Sequence, residues 1–367
     1  MLDYLSLKEE AFGLDISDLS LKIIKLKKKK GILGLASFGE DEIPPGIIEG
    51  GEIKDEESLV KIIKEALTKV KGEKLKTKYV VVSLPEEKAF LQVIQMPIMS
   101  SEQLESAVRF EAENYIPLSV EEVYLGSQIV LPLYNHLDHI DVLIAALPKK
   151  TINPYVTSLK KAGLQPKILE IESQAISRAL VKNEVSPPPL LLIDLGATKT
   201  GFIIFSGYSL RFTASIPVSS QKFTEAIAKT LKIDLIEAEK LKIKYGLKKE
   251  NKEGEIIFET LIPALTDLIE QIKKYLSYYQ THAIHEHLPP DGKGIAKILL
   301  CGGGANLKGL TEFLTAELKI PTETSNPWVN ILPKPLKEVP ELPYEKSLGY
   351  ATALGLALRG IREKQYD

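Results

Sequence analysis

Leu191-Leu-Ile-Asp-Leu-Gly-Ala-Thr-Lys-Thr200 is the stretch on which the reading of this chain turns. A short apolar run ends in a carboxylate, Asp194, and gives way to small and hydroxyl residues, among them Gly196, Thr198 and Thr200. Apolar residues resume from Gly201 to Phe205, as in a second strand. The same order occurs near the other end of the chain, in Phe12-Gly-Leu-Asp-Ile-Ser17, followed by Leu21 to Leu26. A carboxylate at such a turn can hold a hydrated Mg²⁺, while turn amides and hydroxyls bind phosphate oxygens. One copy carries little weight, because aspartate is common in hairpin turns for local hydrogen-bonding reasons. Two copies, at Asp15 and Asp194, predict a duplicated domain with a phosphate clamped between its halves.

A third element extends the pattern. Ile298-Leu-Leu-Cys-Gly-Gly-Gly-Ala-Asn-Leu-Lys-Gly309 is an apolar strand running into Gly302, Gly303 and Gly304. Glycines let backbone approach a ligand closely and allow positive φ. Leu310, Phe313 and Leu314 predict a following helix whose N-terminus could face an anion. The spacing is that of neither a Walker loop nor a Rossmann fingerprint. Taken alone, this run reads equally well as a plain strand-to-helix turn.

The whole chain is compatible with that reading. Its 367 residues suffice for two or more domains with substantial cores. With 44% hydrophobic and 26% charged residues it is ordinary for a globular protein. Lys+Arg 47 against Asp+Glu 49 gives a net charge of −2 and no global drive toward nucleic acid. The single cysteine, Cys301, excludes an intrachain disulfide and a cysteine zinc cluster, and its apolar strand predicts a buried thiol. The start, Met1 to Glu10, has no signal-peptide pattern, and no apolar run approaches the ~18 residues of a membrane span. A cytosolic protein is expected.

Along the chain, hydrophobic periodicity predicts a hairpin over 12–26, an amphipathic helix over 56–70 and a buried strand over 79–84. Ser100, with Gln103 three residues later, predicts a capping box for a helix through Asn114. Strands are expected over 90–95, 123–133 and 140–147, and a helix over 151–162 ending at Gly163. A helix is expected over 168–182, with Pro187 to Pro189 as a rigid boundary. Helices over 223–231, 235–245 and 258–279 follow, the last kinked by Pro263 or starting there. A proline-rich surface crossing over 331–343 leads to a last helix over 347–361.

In this order, the two aspartate turns and the glycine strand resemble the actin/Hsp70 ATPase superfamily. Within it the chain is similar, over nearly its whole length, to the PilM family of type IV pilus assembly proteins, relatives of FtsA. The resemblance implies an α/β actin-like ATPase fold of two related lobes with an FtsA-type inserted subdomain 1C. It divides the chain into subdomain 1A (1–84), the insertion (85–165), a 1A helix (166–187), 2A (188–235), 2B (236–289), 2A again (290–338) and a C-terminal helix returning to 1A (339–367). Within the insertion, Pro97-Ile-Met-Ser and Arg109-Phe-Glu-Ala-Glu-Asn-Tyr-Ile-Pro117 are similar to a PilM pattern. Ala238-Glu-Lys-Leu-Lys-Ile-Lys-Tyr-Gly246 resembles the helix whose Glu and Lys contact the ribose, here Glu239 and Lys242.

That resemblance implies ATP with Mg²⁺ as cofactors. Asp15 and Asp194 would face the metal through water. Ser17, Gly196, Thr198 and Thr200 would line the phosphate turns, and Gly302, Gly303 and Gly304 the adenosine side. Gln174 falls near the water-positioning glutamine of actin. Ser17 and Ser219-Ser220 stand where relatives usually have glycine, which implies weak hydrolysis. The implied partners are the N-terminal cytoplasmic peptide of a PilN-like inner-membrane protein and other pilus platform proteins. No nucleic acid and no membrane span are expected, with attachment to the inner membrane through the partner. The alternatives are an FtsA-like membrane-associated filament protein, disfavoured because the sequence ends soon after the core helix, and a small-molecule kinase, for which no catalytic aspartate motif stands in the first half.

Remaining features have plain readings. Lys27 to Lys30 could touch anionic lipid headgroups, but a solvated hairpin tip is the preferred reading. His282, His285 and His287 end a long helix, where histidine suits the C-terminal dipole. His136 and His139 flank a turn and are expected to be exposed. Tyr275, Tyr278 and Tyr279 read as packing residues.

Overall fold

The structure is a computed structural model that describes residues 10–131, 138–282, 294–333, 335 and 339–362. The expectations for residues 1–9, His136, His285, His287 and 363–367 lie outside these residues.

The chain opens with a three-stranded meander, β1 (Phe12–Ile16), β2 (Ser20–Lys29) and β3 (Ile32–Glu42). A small hairpin, β4 (Ile48–Glu49) and β5 (Glu52–Ile53), leads to α1 (Glu56–Thr68). Asp55 caps α1 by accepting from the Ser58 amide, an interaction worth ~1 kcal/mol. Then come β6 (Lys71–Gly72) and β7 (Tyr79–Leu84). A second unit follows: β8 (Phe90–Pro97), α2 (Ser101–Ala112), β9 (Val123–Val130) and β10 (His139–Pro148). The Ser100–Gln103 capping box is present in both directions. The chain returns through α3 (Lys149–Lys161), β11 (Gln165–Ile171) and α4 (Glu172–Leu180).

The other half repeats the opening. β12 (Ser186–Leu195), β13 (Thr200–Gly207) and β14 (Ser209–Ile216) form a second meander. Helices α5 (Ser220–Leu231), α6 (Leu235–Tyr245) and α7 (Lys252–His282) precede β15 (Lys297–Cys301), α8 (Leu310–Leu318) and β16 (Thr322–Thr324). Short α9 (Tyr344–Ser347) and α10 (Ala351–Ile361) end the described chain.

The duplication is explicit in the strand orders. The first sheet runs β11-β7-β1-β2-β3, with β6 at its edge, and the second runs β16-β15-β12-β13-β14. In each, the first meander strand pairs antiparallel with the second and parallel with a later strand, Phe12 to Leu14 on Val80 to Val82 and Leu190 to Asp194 on Lys297 to Cys301. β8, β10 and β9 form a separate antiparallel sheet. One face of it packs on Leu104, Val108 and Ala112 of α2. Leu91, Val93 and Leu143 instead join a core with Phe205 and Leu210 of the second half. There the Arg211 guanidinium of β14 lies 3.1 Å from the Asp141 carboxylate of β10. α3 belongs by packing to the first lobe, where Tyr155 and Leu159 share a core with Phe12, Leu14 and Leu59.

α10 packs back onto the first lobe through small residues. A Cβ on Gly13 of β1 would come 2.4 Å from the Ala353 carbonyl, and one on Gly355 would lie 1.8 Å from that of Ala175 in α4. Only glycine admits such approaches.

Five expectations are corrected or refined by the structure. The segment 168–182 is not one helix: Ile168 to Ile171 complete β11, and the helix begins at Glu172. A strand buried on both faces and a buried helix share one apolar pattern. Pro187 to Pro189 mark the boundary as the first residues of β12 itself, where a register shift between Ser186 and Leu190 spares the missing donors. Pro263 lies inside α7 and does not start it. The 331–343 crossing is anchored by fully or nearly fully buried Ile331 and Leu342. His139, too, is not exposed, since its ring is largely covered and contacts the Gln95 side chain at 2.9 Å.

Candidate functional site

The two aspartates occupy equivalent places. Asp15 is next to last in β1 and accepts a hydrogen bond from Ser83 Oγ of parallel β7 at 2.9 Å. Asp194 is next to last in β12, and Cys301 Sγ of parallel β15 lies 3.8 Å from its Oδ1. The ends of the two sheets meet. Burial pushes both carboxyls above the usual carboxylate range, and Asp15 pushes Asp194 up further, which places like charges together. Lys22 and Lys199 oppose this at both sites.

Lys199 is the residue the sequence reading passed over. It sits in the turn between β12 and β13 and reaches into the first lobe. Its ammonium lies 3.0 Å from Glu172 Oε2 at the start of α4 and also pairs with Glu87. Burial nevertheless pushes Glu172 up to about 8, with Glu87 and Asp15 adding repulsion. The same carboxylates hold the Lys199 ammonium protonated well above the ordinary lysine range. The two shifts are compatible because one ammonium is shared among several crowded acids. The motif spelled Lys199 out, but its partners, far off in sequence, could not be read from it.

Both turns are tight. The Ser17 amide donates to the Ser20 carbonyl at 2.9 Å, and the two hydroxyls lie 3.0 Å apart. Gly196 donates to the Lys199 carbonyl at 3.0 Å, leaving 2.9 Å to that oxygen for any added Cβ. Thr198 is half-buried in the turn. Thr200 is set apart: it is fully buried and its hydroxyl donates to the Val218 carbonyl at 2.7 Å. The first amides of α5, Ser220 and Gln221, are taken by the carbonyls of Gly196 and Ala197.

Gly302 closes against the Asp194 turn. Its φ is +81°, and an added Cβ would stand 2.4 Å from Asp194 Oδ1. Gly304 likewise abuts Leu195, whereas Gly303 faces open space. Glu239 and Lys242 share a face of α6, with 2.7 Å between their charges. The Lys242 ammonium is buried among Ser220 Oγ at 2.9 Å and Thr224 Oγ1 at 2.8 Å, and burial depresses its pKa. It thereby ties α6 to α5. Gln174 is half-buried on α4, two residues beyond Glu172.

The residues fit a hydrated divalent cation with a polyphosphate. Two carboxylates that repel each other, Asp15 buried and Asp194 partly so, gain from a shared cation, and Mg²⁺ keeps several waters and needs only one or two protein carboxylates. Among the described residues no group of three His, Cys, Asp or Glu side chains forms a metal cage.

Paired meander sheets with a carboxylate at each first strand's end and a glycine turn beside the second define an actin-like ATPase fold. Two solved structures support that class through fold alone: MreB5 of Spiroplasma citri bound to ADP (TM-score 0.52, 14% identity, 94% of each chain) and the ethanolamine utilization protein EutJ from Carboxydothermus hydrogenoformans (0.54, 15%, 96% of this chain and 90% of that). The family model described as type IV pilus assembly protein PilM matches residues 13–361, and the chain belongs to that family. A solved PilM-PilN type IV pilus biogenesis complex contains a chain with TM-score 0.78 and 30% identity, covering 96% of this chain and 99% of that one. Cell division protein FtsA of Pseudomonas aeruginosa is 25% identical over 225 residues, 57% of this chain and 51% of FtsA. The match thus spans about half the length of that curated relative.

Proposed function

We propose that this protein is a nucleotide-binding scaffold of the type IV pilus assembly platform at the inner membrane. It takes the N-terminal cytoplasmic peptide of a PilN-like membrane protein and binds ATP with Mg²⁺ between its lobes. The observation that carries this reading is the likeness, over 96% of this chain and 99% of the other, to a chain of a PilM-PilN complex. Among the described residues no helix is long and apolar enough to cross a membrane, which accords with attachment through a partner.

In this reading Asp15 and Asp194 orient the metal's waters. Ser17, Gly196 and Thr198 line the phosphates, and Gly302 to Gly304 give backbone access beside the adenosine. Glu239, with Lys242 holding it in place, reaches the ribose. The metal supplies charge neutralisation for the phosphates. Gln174 is the candidate for positioning water, and Ser17 and Ser219-Ser220 stand where relatives usually have glycine. Turnover is therefore slow, and nucleotide acts by selecting a lobe arrangement. The peptide lies between the first lobe and the β8-β10-β9 sheet, where an extended segment can add main-chain hydrogen bonds.

Calorimetric titration of ATP–Mg²⁺ and of a PilN-like N-terminal peptide, each alone and then together, tests the proposal. Expected are binding of both, and a peptide affinity that changes with nucleotide. Absence of peptide binding in both nucleotide states sinks the scaffold reading, and sustained turnover above ~1 s⁻¹ sinks the conformational role.

A further inference from the structure

Two lysine runs far apart in sequence meet at the end of the first sheet opposite the cleft. β2 continues beyond its last pairing with β1, at Ile24, and carries Lys28 and Lys29 into a turn at Lys30 and Gly31. The second run, Lys74-Leu-Lys-Thr-Lys78, links β6 to β7. Leu75 packs on the first-lobe core, while Lys74, Lys76 and Lys78 are exposed. Glu73 joins the runs. It pairs with Lys27 at 2.8 Å, and Lys25 and Lys76 stand near enough to lower its carboxyl further. Glu10 is engaged by Lys25. Lys28, Lys29, Lys30, Lys74, Lys76 and Lys78 thus present one positive face, without an ion pair to any of them among the described residues. Ile32, 38% exposed, stands beside the turn.

We propose that this face docks directly on anionic lipid headgroups. A net charge of −2 means the attraction is local and therefore orients the molecule, with the cleft pointing away from the bilayer. Lysine ammoniums act as point charges that suit a diffuse layer of phosphates, and six of them match the clusters that hold proteins at anionic membranes. Ile32 can enter the headgroup boundary. Nucleic acid would call for arginine forks or open aromatic faces; here Tyr79 is half-buried, with the Lys167 ammonium 4.2 Å from its ring.

Vesicle co-sedimentation of the full chain, without nucleotide or peptide, separates this inference from the cleft reading. Vesicles of phosphatidylglycerol in phosphatidylcholine should retain the protein, pure phosphatidylcholine should not, and retention should fall with salt. Lys28→Gln/Lys29→Gln/Lys30→Gln should weaken retention on the order of 100-fold. Lys61→Gln/Lys64→Gln, on exposed positions of α1, should leave it unchanged. Full retention of the triple variant, no retention of the parent chain, or binding to a soluble polyanion such as heparin without vesicles would overturn the proposal.

Discussion

The ammonium of Lys199 in the second lobe lies 3.0 Å from the Glu172 carboxyl in the first, so a polar contact to the ammonium joins the lobes as well as packing. Glu172 also sits at the first turn of α4, where negative charge suits the helix dipole. Burial still dominates and raises its pKa to about 8.

That shift has a definite pH consequence. The folded state keeps the Glu172 proton up to about pH 8, whereas the unfolded chain releases it near its ordinary 4.5. The stabilising contribution is therefore complete below pH 4.5 and is lost as pH rises through about 8. At ~1.4 kcal/mol per pKa unit, with charge sharing by Lys199, the loss is at most a few kcal/mol. Urea denaturation at several pH values between 5 and 9 should show stability falling in the parent chain and a flatter profile in Glu172→Gln. Parallel profiles would show that Glu172 ionises freely.

Local motifs made much of this arrangement legible. Asp15, Asp194 and Gly302 to Gly304 are each defined within a few residues, because a strand, a turn and a close backbone approach are local events. Lys199, by contrast, is meaningful only through Glu87 and Glu172, which no spacing rule links to it. Thr200 shows the opposite failure, since its place in the motif suggested a phosphate contact while its hydroxyl is committed to Val218. β11 was hidden because Ile168, Leu169 and Ile171 suit either a buried strand or a helix face.

The inserted sheet is tied to the second lobe by Arg211 and Asp141, both nearly buried. Asp141→Ala would strand a buried guanidinium, at a cost of ~3–5 kcal/mol. Replacing both partners together, Arg211→Met with Asp141→Leu, should recover most of that loss. A double variant destabilised by the sum of the two single-variant losses, measured in guanidinium titrations, would mean that the pair carries no coupling.

Gly355 has no room for a side chain. An added Cβ would meet the Ala175 carbonyl at 1.8 Å, and the obstacle is helix backbone that cannot rotate aside. Gly355→Ala should therefore destabilise by ~2 kcal/mol or more, despite alanine's better helix propensity. A melting temperature equal to or above that of the parent chain would show that α4 and α10 separate easily.

Asp194 joins the fold to the proposed ligand. Its partly buried carboxyl lies near that of Asp15 and is pushed up by desolvation and by that repulsion, so its ionised form destabilises the fold. Asp194→Ala removes the repulsion and should leave the protein as stable as before, or slightly more so. It also removes one of two carboxylates able to orient the waters of Mg²⁺, so ATP affinity measured with Mg²⁺ should drop by ~10-fold or more, an effect of at least ~1.4 kcal/mol. Affinity measured in EDTA should change far less, because the phosphate turns and glycine strand remain. The combination of unchanged stability and a Mg²⁺-dependent loss is what assigns Asp194 to the metal. An Asp194→Ala variant that binds ATP–Mg²⁺ as tightly as the parent would remove that assignment and, with it, the equivalence drawn between the two strand ends.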